Sequence, residues 1–465
     1  MQKLDLTIGE MCKILEREPV GLNARTAKRK VRLCLDSREA EPGVVFWPLK
    51  GARFDAHEFV PQMMRKGALM SVMDENKIGD FPSEVYVPVD DTNAALLKLA
   101  KGYQRRFKLK KIAVTGSNGK TTTKEMLKTV LSESFRTMAT EGNFNNQIGV
   151  PKTIFRFKHT DEVAVIEMGT SAPGEIHPLS MAVEPDIAVI TNIGASHLEH
   201  LGNLDNVFRE KTSIVDGLRK GGLLVVNADD PRLSRLRTNK SYRVLTFGIK
   251  RGIVKPERLS WDENACATFY IGRTEFHLNV PGIHNVYNAL AAIAVATSLR
   301  MPKSTVASAL SKFRAANMRM EIRNGVGIKI VSDCYNANPS STRMALQTIG
   351  ALENSARKIA VLGDMLELGE KSADMHFEIG TVVADMHFDL LVAVGKASLD
   401  TWLGALSRGM DKSAALHFDD VASAMKFLAE NVRLGDIVLV KGSRGMKMEQ
   451  IVEKLLHVEP VAVEK

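Results

Sequence analysis

A chain of 465 residues is longer than one hydrophobic core supports, and at roughly 150 residues per domain it divides into about three. Its composition, 45% hydrophobic and 25% charged, excludes a disordered or fibrous chain. The excess of 63 Lys and Arg over 54 Asp and Glu suits nucleotides, phosphates and carboxylates, but the cations are dispersed and aromatics sparse, so no nucleic acid partner is expected.

The opening Met1-Gln2-Lys3-Leu4-Asp5-Leu6 carries an acidic residue early and leads into no long apolar run, against a signal peptide. Strand-like runs at 31–35 and 43–49, with turn residues at Asp36-Ser37 and Pro42-Gly43, predict a small α/β domain over 1–109. The basic stretch 105–111 predicts a solvated connector. Residues 111–114 then read as a buried strand, and Thr122, Thr123, Met126, Leu127, Val130 and Leu131 share one helical face.

Between that strand and helix lies the most informative segment, Val114-Thr115-Gly116-Ser117-Asn118-Gly119-Lys120-Thr121-Thr122. Gly116 and Gly119 let backbone N–H groups along Ser117, Asn118 and Thr122 converge on phosphate oxygens. Lys120 can neutralise β/γ charge and the Thr121 hydroxyl can ligate Mg²⁺. The longer G-x-x-x-x-G-K-[ST] form needs Gly at 114, where this chain has Val, so the pattern is the shorter G-x-x-G-K-T. The bland alternative is a helix start rich in Gly and Thr.

Strand candidates at 163–167, 186–191, 223–227 and 244–247 alternate with helices and predict a mostly parallel sheet in a central nucleotide-binding domain over 110–312. A hairpin at 267–270 and 275–280 around Gly272-Arg273 precedes a helix over 285–299, whose most apolar part is too short to span a bilayer, so no membrane insertion is expected. A second alternation, with strands at 328–331, 358–362, 390–394, 416–418 and 437–440 and a helix at 422–430, predicts a Rossmann-like doubly wound domain over 313–465. No strand is followed by G-x-G-x-x-G, so the fold alone does not imply a dinucleotide. Cys12, Cys34, Cys266 and Cys334 lack metal-ligand spacing and read as reduced thiols in a cytoplasmic protein.

Further candidates fall at strand ends. Glu167 ends one strand with a hard oxygen ligand suited to Mg²⁺, or with an ordinary structural carboxylate. His197, after the strand ending at Thr191, reads as a ligand or as a plain polar group. The loop carrying Asn143, Asn145 and Asn146 offers uncharged amides for a sugar or diphosphate, or forms a simple Asx turn. Arg319 can reach a transferring phosphoryl group and Asp333 a ribose, or each forms an ordinary ion pair. Lys441, Ser443 and Arg444, again between strand and helix, make a candidate carboxylate site. His376 is available as a base but reads as an exposed helical residue.

Taken together, the phosphate loop, Asp36-Ser37-Arg38, the segment 49–55 with Lys50, residues 142–151, Glu167-Met168-Gly169, Tyr335-Asn336-Ala337-Asn338-Pro339, residues 362–369 and residues 441–445 resemble the Mur ligases, ATP-dependent amide-forming enzymes of peptidoglycan synthesis. The 335–339 segment is most similar to the members that add D-alanyl-D-alanine to UDP-N-acetylmuramoyl-tripeptide. The resemblance implies ATP and two Mg²⁺ ions, with Lys211 carbamylated as a metal ligand beside Thr121, Glu167 and His197. It implies Asn285 and Asn288 near adenine and Ser37, Arg38 and Lys50 near the uridine part of the substrate. Asn143, Asn146, Tyr335, Asn336, Asn338, Lys441, Ser443 and Arg444 then hold substrate, with Lys120, Lys211, His197 and Arg319 catalytic, in a monomer. A folate polyglutamylating relative, or a nucleotide-gated switch outside the ligases, is the alternative.

Overall fold

The computed structural model describes residues 1–51, 54–80, 85–315, 317–352 and 356–461; Ala52 and Arg53 of the 49–55 segment lie outside them. The first sheet orders β1 (Gln2–Thr7), β2 (Lys30–Cys34), β3 (Val45–Phe46), β4 (Met70–Asp74) and β5 (Tyr86–Val89) side by side, antiparallel at β1–β2 and parallel thereafter. The run expected over 43–49 shrinks to Val45–Phe46, because Pro48 has no N–H to continue a ladder. The helix Ile8–Leu15, closed by a Thr7/Glu10 capping box, buries Ile8, Met11, Cys12 and Leu15 against this sheet.

The central sheet comprises β6 (Lys110–Thr115), β7 (Thr137–Ala139), β8 (Val163–Glu167), β9 (Ile187–Ile190), β10 (Gly222–Asn227) and β11 (Tyr242–Phe247). They are all parallel, in the order β11-β10-β9-β6-β8-β7. A parallel strand is covered on both faces, which is why these segments read as apolar runs rather than alternating ones. On one face the helices Lys120–Ser132 and Ile283–Ser298 share a cluster containing Met126, Leu127, Val130, Leu290 and Ile293. Full burial of each large side chain there contributes about 1.5–3 kcal/mol. An antiparallel unit of β12 (Arg258–Trp261), β13 (Cys266–Ile271) and β14 (Thr274–Pro281) extends that core.

The opposite face is continuous with the core of the first sheet. The 105–111 stretch is therefore no solvated connector. Arg105 and Arg106 do face water and pair with Glu184 and Glu10, but Phe107, Leu109 and Lys111 are buried where the two units meet.

The last sheet contains β15 (Glu321–Asn324), β16 (Lys329–Asp333), β17 (Lys358–Gly363), β18 (Leu390–Val394), β19 (Ala415–Phe418) and β20 (Ile437–Lys441). Its order is β15-β16-β20-β17-β18-β19, parallel except for the β15 edge. Placing β20 between β16 and β17 brings the ends Asp333, Lys441 and Gly363 together. All four cysteines are buried and unpaired. Among the described residues no helix is long and apolar enough to cross a membrane.

Candidate active site

In the central sheet the strand order reverses about β6, and ligands gather outside the carboxyl ends of strands at such a point. There β6 runs into the phosphate loop, β8 ends in Glu167, and β9 leads to Thr191 and Asn192. Val114 is still within β6, paired with Glu167 and Val189, so the loop begins only after Thr115. Gly116 has φ +147° and a Cβ there would lie 1.9 Å from Thr191 Oγ1; at Gly119, φ +79°, it would lie 2.3 Å from Asn288 Oδ1. Neither position accepts a side chain.

Polar contacts hold the loop rigid. Asn118 N–H donates to Asn192 Oδ1 at 3.0 Å, while Thr191 Oγ1 and Asn192 Nδ2 donate to Asn118 O at 2.5 and 3.0 Å. Ser117 Oγ donates to Gly194 O at 2.9 Å. Asn285 and Asn288, both buried, join the helix Ile283–Ser298 to the loop: Thr123 Oγ1 donates to Asn288 Oδ1 at 3.2 Å, and Asn288 Nδ2 to Asn285 Oδ1 at 3.1 Å. Lys120 Nζ donates to Gly116 O at 2.8 Å. Burial pushes its ammonium below the ordinary lysine range, Glu167 opposes the shift and Arg319 adds to it.

Glu167 is only 1% exposed. Its Oε1 accepts from Thr121 Oγ1 at 3.1 Å and Asn145 Nδ2 at 2.9 Å, whereas its Oε2 accepts no hydrogen bond. A buried carboxylate oxygen left unpaired is costly, and a hard cation would satisfy it. Lys124, one helical turn beyond Lys120, has no exposed side-chain surface; its Nζ donates to Thr140 O at 2.8 Å and lies 3.8 Å from Glu167 Oε2. Sequence reasoning missed Lys124 because a helical lysine reads as solvated; its signal was the i, i+4 spacing from Lys120.

His197 adopts φ +52°, ψ +35°, and its Nδ1 donates to Glu367 Oε2 at 2.6 Å. Burial lowers its basicity, the Glu367 bond opposes this, and the Lys120 charge reinforces it. Lys211 is 1% exposed on the helix Leu204–Thr212, and burial followed by the Lys120 charge holds its amine well below the ordinary range. The neighbouring Glu210 turns away and accepts N–H groups of Gly174, Glu175 and Ile176, capping the helix Ile176–Val183. Among the described residues no three His, Cys, Asp or Glu side chains converge as a ready metal cage. The unpaired Glu167 oxygen beside the Thr121 hydroxyl is nevertheless a donor set fitted to Mg²⁺.

Across the cavity, Arg319 lies between Met318 and Met320, both at positive φ, +61° and +52°. Strain of that kind persists only where the surroundings fix it. Met318 N–H donates to Glu321 Oε2 and Met320 N–H to Asp333 Oδ1, each at 3.1 Å, and the guanidinium stacks 3.9 Å from the Tyr335 ring centroid. Lys441, 2% exposed, donates to Asp333 Oδ2 at 2.6 Å and Asn336 O at 3.1 Å, so its charge is already balanced. Arg444 pairs with Glu449 at 3.1 Å. Asn338 Nδ2 donates to Asn118 Oδ1 at 2.7 Å, tying the 335–339 turn to the phosphate loop.

One cavity of about 690 Å³ is lined by the phosphate loop from Ser117 to Thr122, by Asn143, Asn145 and Asn146, by Glu167, His197, Asn285 and Asn288, and by Arg319, Asp333, Tyr335, Asn336, Asn338, Lys441, Ser443 and Arg444. Gly116 and Lys211 lie behind its wall rather than on it. Ser37, Arg38 and Lys50 belong to the first sheet's unit and do not line it; Arg38 is exposed and paired with Asp36 at 2.6 Å. His376 is not the exposed helical residue expected. It is fully buried, its Nδ1 donating to Ser372 O at 2.8 Å and its Nε2 accepting from Met365 N–H at 3.0 Å, which spends both nitrogens on shaping the turn after β17.

A phosphate-loop α/β domain closed by a doubly wound domain that supplies an arginine defines an ATP-dependent ligase architecture. Residues 114–296 match the Mur ligase middle domain and residues 318–444 the Mur ligase glutamate ligase domain. The chain is 38% identical to the UDP-N-acetylmuramoyl-tripeptide--D-alanyl-D-alanine ligase of Bacillus subtilis, over 91% of this chain and 92% of that one. It superposes on MurF from Acinetobacter baumannii with TM-score 0.87 at 31% identity, covering 97% and 99% of the two chains. Against MurF from Thermotoga maritima in complex with ADP the TM-score is 0.82 at 29% identity, covering 92% and 97%. The protein belongs to the Mur ligase family.

Proposed function

We infer that this enzyme joins D-alanyl-D-alanine to UDP-N-acetylmuramoyl-tripeptide at the expense of ATP, giving the pentapeptide, ADP and phosphate. The observation that carries the reading is the Asn338–Asn118 bond, which places the 335–339 turn of one domain on the phosphate loop of another. Phosphoryl donor and acceptor amine can thereby meet in one cavity.

A carboxylate oxygen of the tripeptide attacks the γ-phosphorus of ATP and the bond to the β–γ bridging oxygen breaks, leaving ADP and an acyl phosphate. The amine of the dipeptide then attacks the acyl carbon, and as the C–O bond to phosphate breaks the amine's proton leaves with the departing phosphate. Lys120 and Arg319 offset charge developing on the phosphoryl oxygens. The Ser117 and Asn118 N–H groups, expected on phosphate, instead donate to Asn192. The N–H groups at the start of the helix Lys120–Ser132 therefore orient the phosphates, and the enclosing domains keep water from the labile intermediate. Asn285 and Asn288 set the adenine end, and Asp333 retains lone pairs for a ribose hydroxyl. Asn143, Asn146, Tyr335, Asn336, Ser443 and Arg444 position the acceptor peptide and the amine. Ser37, Arg38 and Lys50 receive the uridine end on the domain of residues 1–109, with residues 110–312 and 313–465 as the other two.

Thr121, Glu167, His197 and a carbamate on Lys211 would hold Mg²⁺, which would supply Lewis-acid neutralisation of the phosphate oxygens. The buried, weakly basic Lys211 suits carbamylation, since only a neutral amine attacks carbon dioxide. The enzyme works as a cytoplasmic monomer on these soluble substrates.

Phosphate release and product mass, measured with ATP, Mg²⁺, the UDP-muramoyl tripeptide and each candidate amine, test the reading. D-alanyl-D-alanine should give dipeptide addition, with release dependent on both organic substrates. Success with another amine alone would move the assignment within the family, and release independent of both would make the chain a switch.

A further inference from the structure

We infer that Glu367, delivered by the C-terminal domain, is a positioning residue that fixes the tautomer of His197, so that a metal-ligating nitrogen is presented only when the two domains meet. The inference rests on the reading of His197 as a Mg²⁺ ligand. A carboxylate accepts hydrogen bonds and cannot donate, so the 2.6 Å contact from His197 Nδ1 to Glu367 Oε2 places the ring proton on Nδ1 and leaves the Nε2 lone pair free. Among the described residues Glu367 is the only hydrogen-bond partner of the ring. Ligating histidines commonly need such an outer carboxylate, but here it comes from a different sheet.

The surrounding geometry is built for the meeting. His197 at φ +52° and Glu367 at φ +62° are both held in left-handed backbone, an arrangement that costs energy unless the fold fixes it. Glu199 N–H donates to Glu367 O at 3.3 Å, and a Cβ on Gly369 would come within 3.4 Å of Glu199 Cα, so the two turns are in direct contact. The turn carrying Glu367 is itself shaped from beneath by buried His376, which accepts the Met365 N–H.

The full-length protein with ADP and Mn²⁺ as the probe tests this, free Mn²⁺ being counted by electron paramagnetic resonance. Glu367→Ala should weaken Mn²⁺ binding about tenfold or more, the range seen when an outer partner of a ligand is removed. It should also raise the Mg²⁺ needed for half-maximal turnover while kcat at saturating Mg²⁺ recovers. Glu367→Gln, whose amide oxygen still accepts from Nδ1–H, should retain most of the affinity. Equal losses in the Gln and Ala variants would show an interdomain charge contact instead and overturn the inference. Normal Mn²⁺ binding by Glu367→Ala, with His197→Ala impaired, would overturn it while leaving His197 a ligand. Normal binding by His197→Ala would remove both the ligand role and the inference.

Discussion

The carboxyl ends of the two six-stranded sheets face one cavity, yet they handle charge in opposite ways. At the central sheet charges are matched only in part: Lys120 is held by backbone carbonyls, Lys211 is buried with a depressed basicity, and the Glu167 oxygen that accepts no hydrogen bond has only the Lys124 ammonium 3.8 Å away. At the C-terminal sheet they are matched: Asp333 with Lys441, Arg444 with Glu449, and Arg319 against the face of Tyr335. Similar topology thus yields two surfaces, one whose electrostatic demand is met by a ligand and one whose shape is fixed beforehand. The first end should fail chemically when altered, the second structurally.

The largest expected effect tests the first half. Lys120→Met should lower kcat by about 10²–10³-fold, as loss of a preorganised charge-stabilising donor does. Its urea unfolding midpoint should hold or rise, because a desolvated cation has been removed. A fall in stability without a fall in single-turnover rate would reverse the contrast. The second half is tested by Asp333→Asn, which strands the buried Lys441 ammonium and should cost about 3–5 kcal/mol of unfolding free energy. Asp333→Asn combined with Lys441→Met should recover part of that loss, since the stranded charge goes too. A turnover defect in Asp333→Asn with wild-type unfolding would make the ribose contact, rather than the hold on Lys441, the main work of this carboxylate.

How far each end was legible in the sequence follows the same division. The phosphate loop could be read directly, because backbone approach to phosphates needs Gly116 and Gly119 and the flanking periodicities give strand and helix. Most strands of both parallel sheets were legible as apolar runs. The edge strands β7, β12 and β15 were not, being short or half-exposed. His376 escaped because no local pattern marks a charged or aromatic residue as buried, and Lys124 and Glu367 because their partners Glu167 and His197 are far away in sequence. The same holds for Lys441, read as a cation awaiting a carboxylate ligand and found against Asp333, more than a hundred residues away.

The smallest effect expected comes from the opposite end of the central sheet and sharpens the contrast most. Lys111, at the start of β6, is 1% exposed, contacts Gln104 Oε1 through Nζ, and is pushed down to about 8, chiefly by burial and then by Arg219. It is depressed in the same direction as Lys120, which follows the loop at the other end of β6, but lies at the end of the strand remote from the cavity. Between pH 8 and the ordinary value of 10.5 the unfolded chain binds more protons at this lysine than the folded one, so stability contributed by this group rises with pH. Below about pH 8 it is charged in both states and the folded state carries the full desolvation cost. Lys111→Met removes that cost, so its urea midpoint should exceed that of the wild type most at neutral pH, with the gap narrowing towards pH 10. Turnover at neutral pH should be unchanged. A parallel shift of both proteins with pH would mean that Lys111 does not titrate in this range, and a loss of turnover would mean that charge at the amino ends of the strands reaches the phosphate loop. The expected result makes location, rather than depressed basicity, the property that separates the reactive lysine opening the helix after β6 from the structural one at the start of that strand.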